Sequence, residues 1–215
     1  MKFIILGIHL REGDIEPLTK AMAVAGLFAS AVGVDDDRPL ADRDLLVEMA
    51  NVRAKLLDRA TFVAVRYGFS VRDEKELAAK CADRTAKWRE LLIAHREEVE
   101  MTLKAPAAAA PPARPNRRDF ESGSAYLRAL YAATYAVDID GQFRACIERT
   151  VVPRATQHRW IRDSASVELA MLVRRTDLDA VRVAGEQLRR DFASVPFLLS
   201  GPWPLEVFAS DDHQQ

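Results

Sequence analysis

The segment Leu198-Leu199-Ser200-Gly201-Pro202-Trp203-Pro204 says most about the fold of this chain. Two prolines flank a tryptophan directly after a glycine, so the backbone is restricted and a large amphipathic ring is held at a fixed place. The segment offers no catalytic group. It therefore indicates a role through shape, either in packing or in contact with a partner.

The composition predicts a globular protein with a substantial core. Of 215 residues, 49% are hydrophobic, and 31 basic and 32 acidic residues give a formal net charge of −1. Because neither sign dominates, no general field favours nucleic acid or an anionic membrane. Cys81 and Cys146 are too few and too distant for a disulfide scaffold, which favours a reducing compartment. No apolar run approaches the roughly 20 residues that cross a bilayer, so we expect a soluble, cytoplasmic protein.

A stretch rich in proline and alanine, residues 105–118, divides the chain near its middle. Its prolines cannot sustain a helix and its alanines leave nothing bulky to bury, so we predict an extended, semi-rigid linker. The linker would join an N-terminal α+β domain over residues 1–104 to a C-terminal α+β domain over residues 119–215.

The first half mixes strand and helix patterns. Residues 3–8 predict a strand buried on both faces, and residues 61–68 predict a second strand that ends at a glycine. Residues 42–59 carry apolar side chains at helical spacing. Residues 21–34 are ambiguous, because their small apolar side chains fit either a buried helix before a turn or a helix followed by a short strand.

A long helix is predicted at the end of the first half. Asp73 and Glu76 form a plausible capping pair, and an apolar stripe continues from there to about Leu103. We therefore expect one helix over residues 74–103, with its stripe facing the core or a partner.

The second half predicts helices over residues 121–136 and from residue 142 to Pro153, where proline disturbs the pattern. Residues 166–173 alternate strictly and predict a half-buried strand. Thr176 is expected to cap a further helix, in which Gly185 would allow close approach to a sheet, and the tail strand follows. Together these elements predict an α+β protein with helices over one face of a sheet.

The search for chemistry is mostly negative. The glycines form no phosphate-binding loop, and the histidines and cysteines have no zinc-ligand spacing, so we predict no cofactor and no metal. Residues 138–141 resemble part of a calcium loop but lack ligands at its two ends, and a polar turn fits them better. Ser122-Gly123-Ser124 lacks the flanking glycines and preceding strand of a nucleophile elbow.

Two other classes of function stay open. The alternative to a binding role is a small-ligand-binding or enzymatic α+β protein, whose pocket would use Arg66, Tyr67, His95 and Glu98. A nucleic-acid binder would use the arginines around Trp160, although the balanced charge disfavours it.

Four stretches in order resemble the gas vesicle protein L/F (GvpL/GvpF) family. The tail segment 198–204 is similar to that family's C-terminal signature, an apolar strand that runs into Gly-Pro-Trp-Pro. Residues 2–8 resemble its opening strand, residues 62–69 resemble its central strand, and Tyr126-Leu127 after Ser122-Gly123 resembles the start of its second domain. One departure is Leu205-Glu206, which replaces the usual Pro-Tyr after the tail segment.

The resemblance implies a two-domain α+β protein whose second domain is ferredoxin-like. It also implies a non-enzymatic accessory protein of the gas vesicle, which assists assembly by binding the hydrophobic shell protein and other accessory proteins. We expect this protein to bind its partners through a sheet edge or through its helix at 74–103. Trp203 would buttress the second domain, either as a core plug or as a contact residue. The candidate partner-binding residues are Trp203, Pro204, Arg66, Tyr67 and Trp88.

Overall fold

The computed structural model describes residues 1–108, 115–135, 138–163 and 165–210 of this α+β chain. The chain forms two compact units. The first contains Met1–Val99 together with Pro202–Gln215, and the second contains Glu100–Gly201. The first unit is therefore discontinuous in sequence, since its last segment follows the whole of the second unit.

The first unit is built on a five-stranded sheet. Its strands are β1 (Lys2–His9), β2 (Lys20–Val24), β3 (Leu27–Val34), β4 (Val63–Ala64) and β5 (Ser70–Val71). The order is β2-β3-β1-β4, and β5 also pairs with β1. Strand β1 is buried from Phe3 to His9, as expected for a central strand covered on both faces, which confirms the strand predicted at residues 3–8.

The helix predicted within residues 21–34 is wrong, because this stretch is the β2–β3 hairpin. Ala25 and Gly26 both have positive φ (47° and 74°) and form the two-residue turn that suits a hairpin. The Arg89 guanidinium donates to the carbonyl oxygen of Ala25 at 2.6 Å. The small side chains that suggested a helix instead line the core face of a strand, where Ala29 and Ala31 are fully buried.

Helix α1 (Arg43–Arg59) agrees with the helix predicted at residues 42–59. The Asp42 side chain caps it by accepting a hydrogen bond from the backbone N–H of Leu45 at 2.8 Å. The buried side of α1 carries Leu45, Met49, Leu56 and Leu57.

The long helix predicted over residues 74–103 is also wrong. The structure has α2 (Glu74–Cys81), α3 (Thr85–Ala94) and then β6 (Glu98–Pro106). Asp73 does cap α2, through a bond from the N–H of Glu76 to its carboxylate. After α3 the apolar spacing changes from helical to alternating, since Val99, Met101, Leu103 and Ala105 are buried at every second position.

The second unit follows with α4 (Gly123–Tyr135), α5 (Gly141–Thr150), β7 (Gln157–Arg162), β8 (Ser166–Arg174), α6 (Leu178–Asp191) and β9 (Leu198–Trp203). Its sheet has the order β7-β8-β6-β9. Strand β8 confirms the strand predicted at residues 166–173. Gly185 of α6 lies against β9, because an added Cβ would stand 2.4 Å from Leu199 Cδ2.

The two units differ from the predicted domain boundaries at residues 104 and 119. The break falls inside β6, so Ala105 and Pro106 are strand residues rather than linker. Residues 109–114, the centre of the predicted linker, lie outside the described residues, and the linker stays a prediction. Residues 202–215, which the prediction placed in the second domain, group with the first unit.

Candidate functional site

A groove of about 430 Å³ opens on the first unit, between α1 and the C-terminal segment. The helix contributes Ala50, Arg53, Ala54, Leu57 and Asp58, and the segment contributes Pro202, Trp203, Pro204 and Glu206. The helical residues recur at steps of three and four, so they lie along one face of α1. The groove is thus mainly apolar, with a few charged side chains in its lining.

The C-terminal wall of this groove is fixed by main-chain pairing. The N–H of Leu205 donates to the carbonyl oxygen of Phe62 at 2.9 Å, and the N–H of Ala64 donates to that of Leu205 at 2.8 Å. The side chains of Leu205 and Phe208 are buried. Because prolines on both sides restrict the backbone, Trp203 is presented from a rigid support while 47% of the residue's surface stays exposed.

The apolar surface of the groove continues along α1 to Val47. Val47 and the groove-lining Ala50 and Ala54 are exposed and follow one another at steps of three and four; we call these three residues the α1 strip. Leu46 is exposed beside it. An apolar row on the exposed side of a helix is a surface on which a partner can pack.

Arg53 is the cation of the groove. Its guanidinium Nη2 donates to the Val65 carbonyl oxygen at 3.2 Å, and Nε, which is buried, has no hydrogen-bond partner in the described part of the chain. Burial lowers the pKa of Arg53, and the charge of Glu206 opposes that shift. The arginine is therefore a partly desolvated positive charge in the groove lining.

The structure separates the predicted partner-binding residues. Trp203 and Pro204 line the groove. Arg66 is exposed, and the Tyr67 hydroxyl donates to the Leu40 carbonyl oxygen at 2.8 Å. Trp88 is buried in the core of the first unit, with 7% of its surface exposed, so its present packing offers a partner little to contact.

One expectation about this region needs correction and another stays a prediction. Trp203 is the last residue of β9, and Pro202–Gln215 group with the first unit, so the expected role of Trp203 in buttressing the second domain stays a prediction. A binding surface on one helix over residues 74–103 is excluded because that helix does not exist.

The residues of the alternative pocket are engaged in separate local contacts. His95 Nδ1 lies 2.6 Å from Glu98 Oε2, while Tyr67 bonds to Leu40. None of Arg66, Tyr67, His95 and Glu98 lines the groove. Among the described residues no three His, Cys, Asp or Glu side chains are grouped to hold a metal ion.

His9 and Ser30 form a polar pair in the sheet of the first unit, and both residues are fully buried. His9 Nε2 is 3.1 Å from Ser30 Oγ, which itself donates to the Gly7 carbonyl oxygen, so the imidazole is the donor in the pair. His9 also stacks on Phe62 with 4.8 Å between ring centroids. Burial lowers the pKa of His9 from its ordinary 6.5 to about 3, which keeps the ring neutral.

The sequence reasoning missed the helical side of the groove, including Arg53, Asp58 and the α1 strip. A signal was present, because Val47, Ala50 and Ala54 form a second apolar line beside the core line of Leu45 and Met49. A helix with apolar residues on more than its core side indicates a further contact.

In the part of the chain that the structure describes, none of the helices has the length and apolar character to span a membrane.

Comparison with known proteins gives a family match over most of the chain and two similar solved structures. The profile of the family described as gas vesicle synthesis protein GvpL/GvpF matches residues 10–209. The crystal structure of the gas vesicle protein GvpF from Anabaena sp. PCC7120 is similar, with a TM-score of 0.67 at 13% identity, over 100% of this chain and 98% of that one.

The crystal structure of GvpF from Microcystis aeruginosa has a TM-score of 0.67 at 12% identity, over 97% of this chain and 99% of that one. A search of curated protein sequences gave no match.

Proposed function

The chain belongs to the GvpL/GvpF family of gas vesicle synthesis proteins, and on that premise we propose that it assists gas vesicle assembly by binding. Its partners would be the hydrophobic shell protein of the vesicle and other gas vesicle accessory proteins. The proposal places the protein in the cytoplasm in association with the vesicle, and it assigns no catalytic step.

The observation that carries the proposal is the half-exposed Trp203 over an apolar groove. Tryptophan is enriched among the residues that dominate binding energy, and such residues sit in apolar pockets that exclude water. Here the ring has rigid support from Leu205 pairing, so little conformational entropy is lost when a partner binds. An assembling shell subunit with exposed apolar surface is the kind of partner that such a groove suits.

We also propose a ferredoxin-like fold for the second unit. Its elements follow the order strand, helices, two strands, helix and strand, from β6 to β9. The first and third of these strands, β6 and β8, are the middle pair of the sheet. Both features support a split βαβ arrangement.

Co-purification tests the binding role. The tagged protein, a Trp203→Ala variant and an Ile93→Ala variant would each be co-expressed with the host's shell protein. Ile93 is a matched control, because it is 57% exposed on α3 and lies outside the groove lining. We expect the wild type and Ile93→Ala to capture the shell protein and Trp203→Ala to lose it, with unchanged circular dichroism.

Equal capture by all three proteins would overturn the groove as the binding site.

Deletion of the gene in a vesicle-forming host tests the wider role. Intact vesicles in normal number after deletion would overturn the assembly function.

A further inference from the structure

The groove and the α1 strip form one continuous surface along α1. From Val47 to Asp58 the helix advances eleven residues, which corresponds to roughly 16 Å at 1.5 Å per residue. This length equals about three turns of a second helix. The surface is therefore long enough for a short helical segment and is larger than the pocket around Trp203 alone.

The side chains of this surface suit a helix as occupant. Val47, Ala50 and Ala54 recur at steps of three and four and therefore lie on one side of α1, where the side chains of a partner helix can pack between them. Two of the three are alanines, which allow the backbones of two helices to approach closely. Helix-in-groove recognition uses contacts with this same spacing.

The charged residues of the groove lining differ in the contacts that they make. Three of its lining residues are charged, and Arg53 already donates to Val65 while the Glu206 carboxylate acts on it electrostatically. Asp58 is exposed at the C-terminal end of the lining and has no ion pair in the described part of the chain. The groove thus presents one acidic group that an occupant could neutralise.

We infer that the groove and the α1 strip receive an amphipathic helix of about three turns that carries a lysine or arginine opposite Asp58. The inference rests on the proposed function, since it specifies the partner of the same site. The apolar face of the helix packs on the α1 strip and Trp203, and its single basic side chain pairs with the Asp58 carboxylate. Opposite charges across a rim fix the register of a helix that apolar contacts alone would leave free to slide.

The test uses the full-length protein with the host's shell protein as probe. Asp58→Asn removes the charge and Asp58→Lys reverses it, while Glu90→Lys makes the same reversal at an exposed position on α3 outside the groove. We expect the dissociation constant to rise about two- to fivefold for Asp58→Asn and about tenfold for Asp58→Lys. Glu90→Lys should bind as the wild type does.

Salt dependence and charge exchange give two further readouts. Wild-type binding should weaken as sodium chloride rises, and Asp58→Asn should lose much of that dependence. Changing the shell protein's basic residues to glutamate one at a time should reveal one substitution that restores binding to Asp58→Lys. Such rescue names the contacting residue on the partner.

The outcomes separate this inference from the proposed function. If Trp203→Ala abolishes binding while both Asp58 variants bind like the wild type, the charged contact is overturned and the groove keeps its role. If Trp203→Ala also binds normally, both fail. Sedimentation of the protein alone tests a second copy as occupant: a dimer that Trp203→Ala or Asp58→Lys dissociates would overturn the helical partner.

Discussion

The backbone N–H of Leu205 donates a hydrogen bond to the carbonyl oxygen of Phe62 over 2.9 Å, and the Leu205 side chain is completely buried. Leu205→Ala removes core methyl groups and leaves a cavity, so the free energy of unfolding should fall by about 2–5 kcal/mol. Urea denaturation measures the change. Leu198→Ala is the matched control, because Leu198 is 61% exposed. An equally small effect at the two positions would contradict this packing.

Gly7 gives a prediction about the central strand. A Cβ added at this position would lie 2.2 Å from Cδ2 of Phe62, whose ring is held by stacking on His9. Gly7→Ala should therefore destabilise the protein by about 1–3 kcal/mol through overpacking. Gly13→Ala is the control, since nothing lies within 4 Å of its added Cβ. Thermal unfolding gives the melting temperatures of both variants and of the wild type. The prediction fails if Gly7→Ala and Gly13→Ala have the same melting temperature.

His9 should make stability depend on pH. Its folded-state pKa is about 3 because burial disfavours the charged ring, and its unfolded value is about 6.5. Between these values the unfolded chain binds a proton that the folded chain does not. The stability that His9 contributes is therefore present above about pH 6.5 and is lost as the pH falls toward 3.

The loss attributable to His9 should be about 2 kcal/mol between pH 7 and pH 5. Urea midpoints of the wild type and a His9→Gln variant at the two pH values isolate it, because glutamine cannot titrate. His158→Gln, at an exposed position, is the control and should keep the wild-type pH dependence. A His9→Gln variant that also keeps that dependence would refute the role of His9.

The cap of α1 supports one wall of the groove. The Asp42 carboxylate accepts from the Leu45 N–H, so Asp42→Ala should cost about 1 kcal/mol of stability. Asp42→Asn should recover most of that loss, because asparagine also caps helices well. Asp37→Ala, which changes an exposed residue before the helix, should have almost no effect. Chemical denaturation of the three variants checks this order.

The elements with an unambiguous period could be predicted from the sequence. The apolar run at residues 3–8, the alternation at residues 166–173 and the helical spacing at residues 42–59 correspond to β1, β8 and α1. The errors lie where short elements follow one another closely. Residues 74–103 join two short helices to a strand, and their leucines and valines fit a single helical stripe when the change of period is overlooked.

The candidate site was only half predictable for a different reason. Trp203 and Pro204 belong to a rare sequence string, but the helix that faces them lies about 150 residues earlier in the chain. No local pattern links Leu205 to Phe62, because their pairing is decided by the tertiary fold. The sequence shows the α1 strip as apolar residues beyond those that the core needs, but it does not show that they form one side of a groove.

Residues 202–208 belong to the first unit although they are translated after the second unit, and this fixes when the groove can form during synthesis. Residues 1–99 leave the ribosome first, but the segment that carries Trp203 emerges only after the whole second unit has been made. The groove consequently cannot form before Trp203 has been translated. A partner that recognises it meets only chains translated past Trp203, so recognition doubles as a check that translation has proceeded that far.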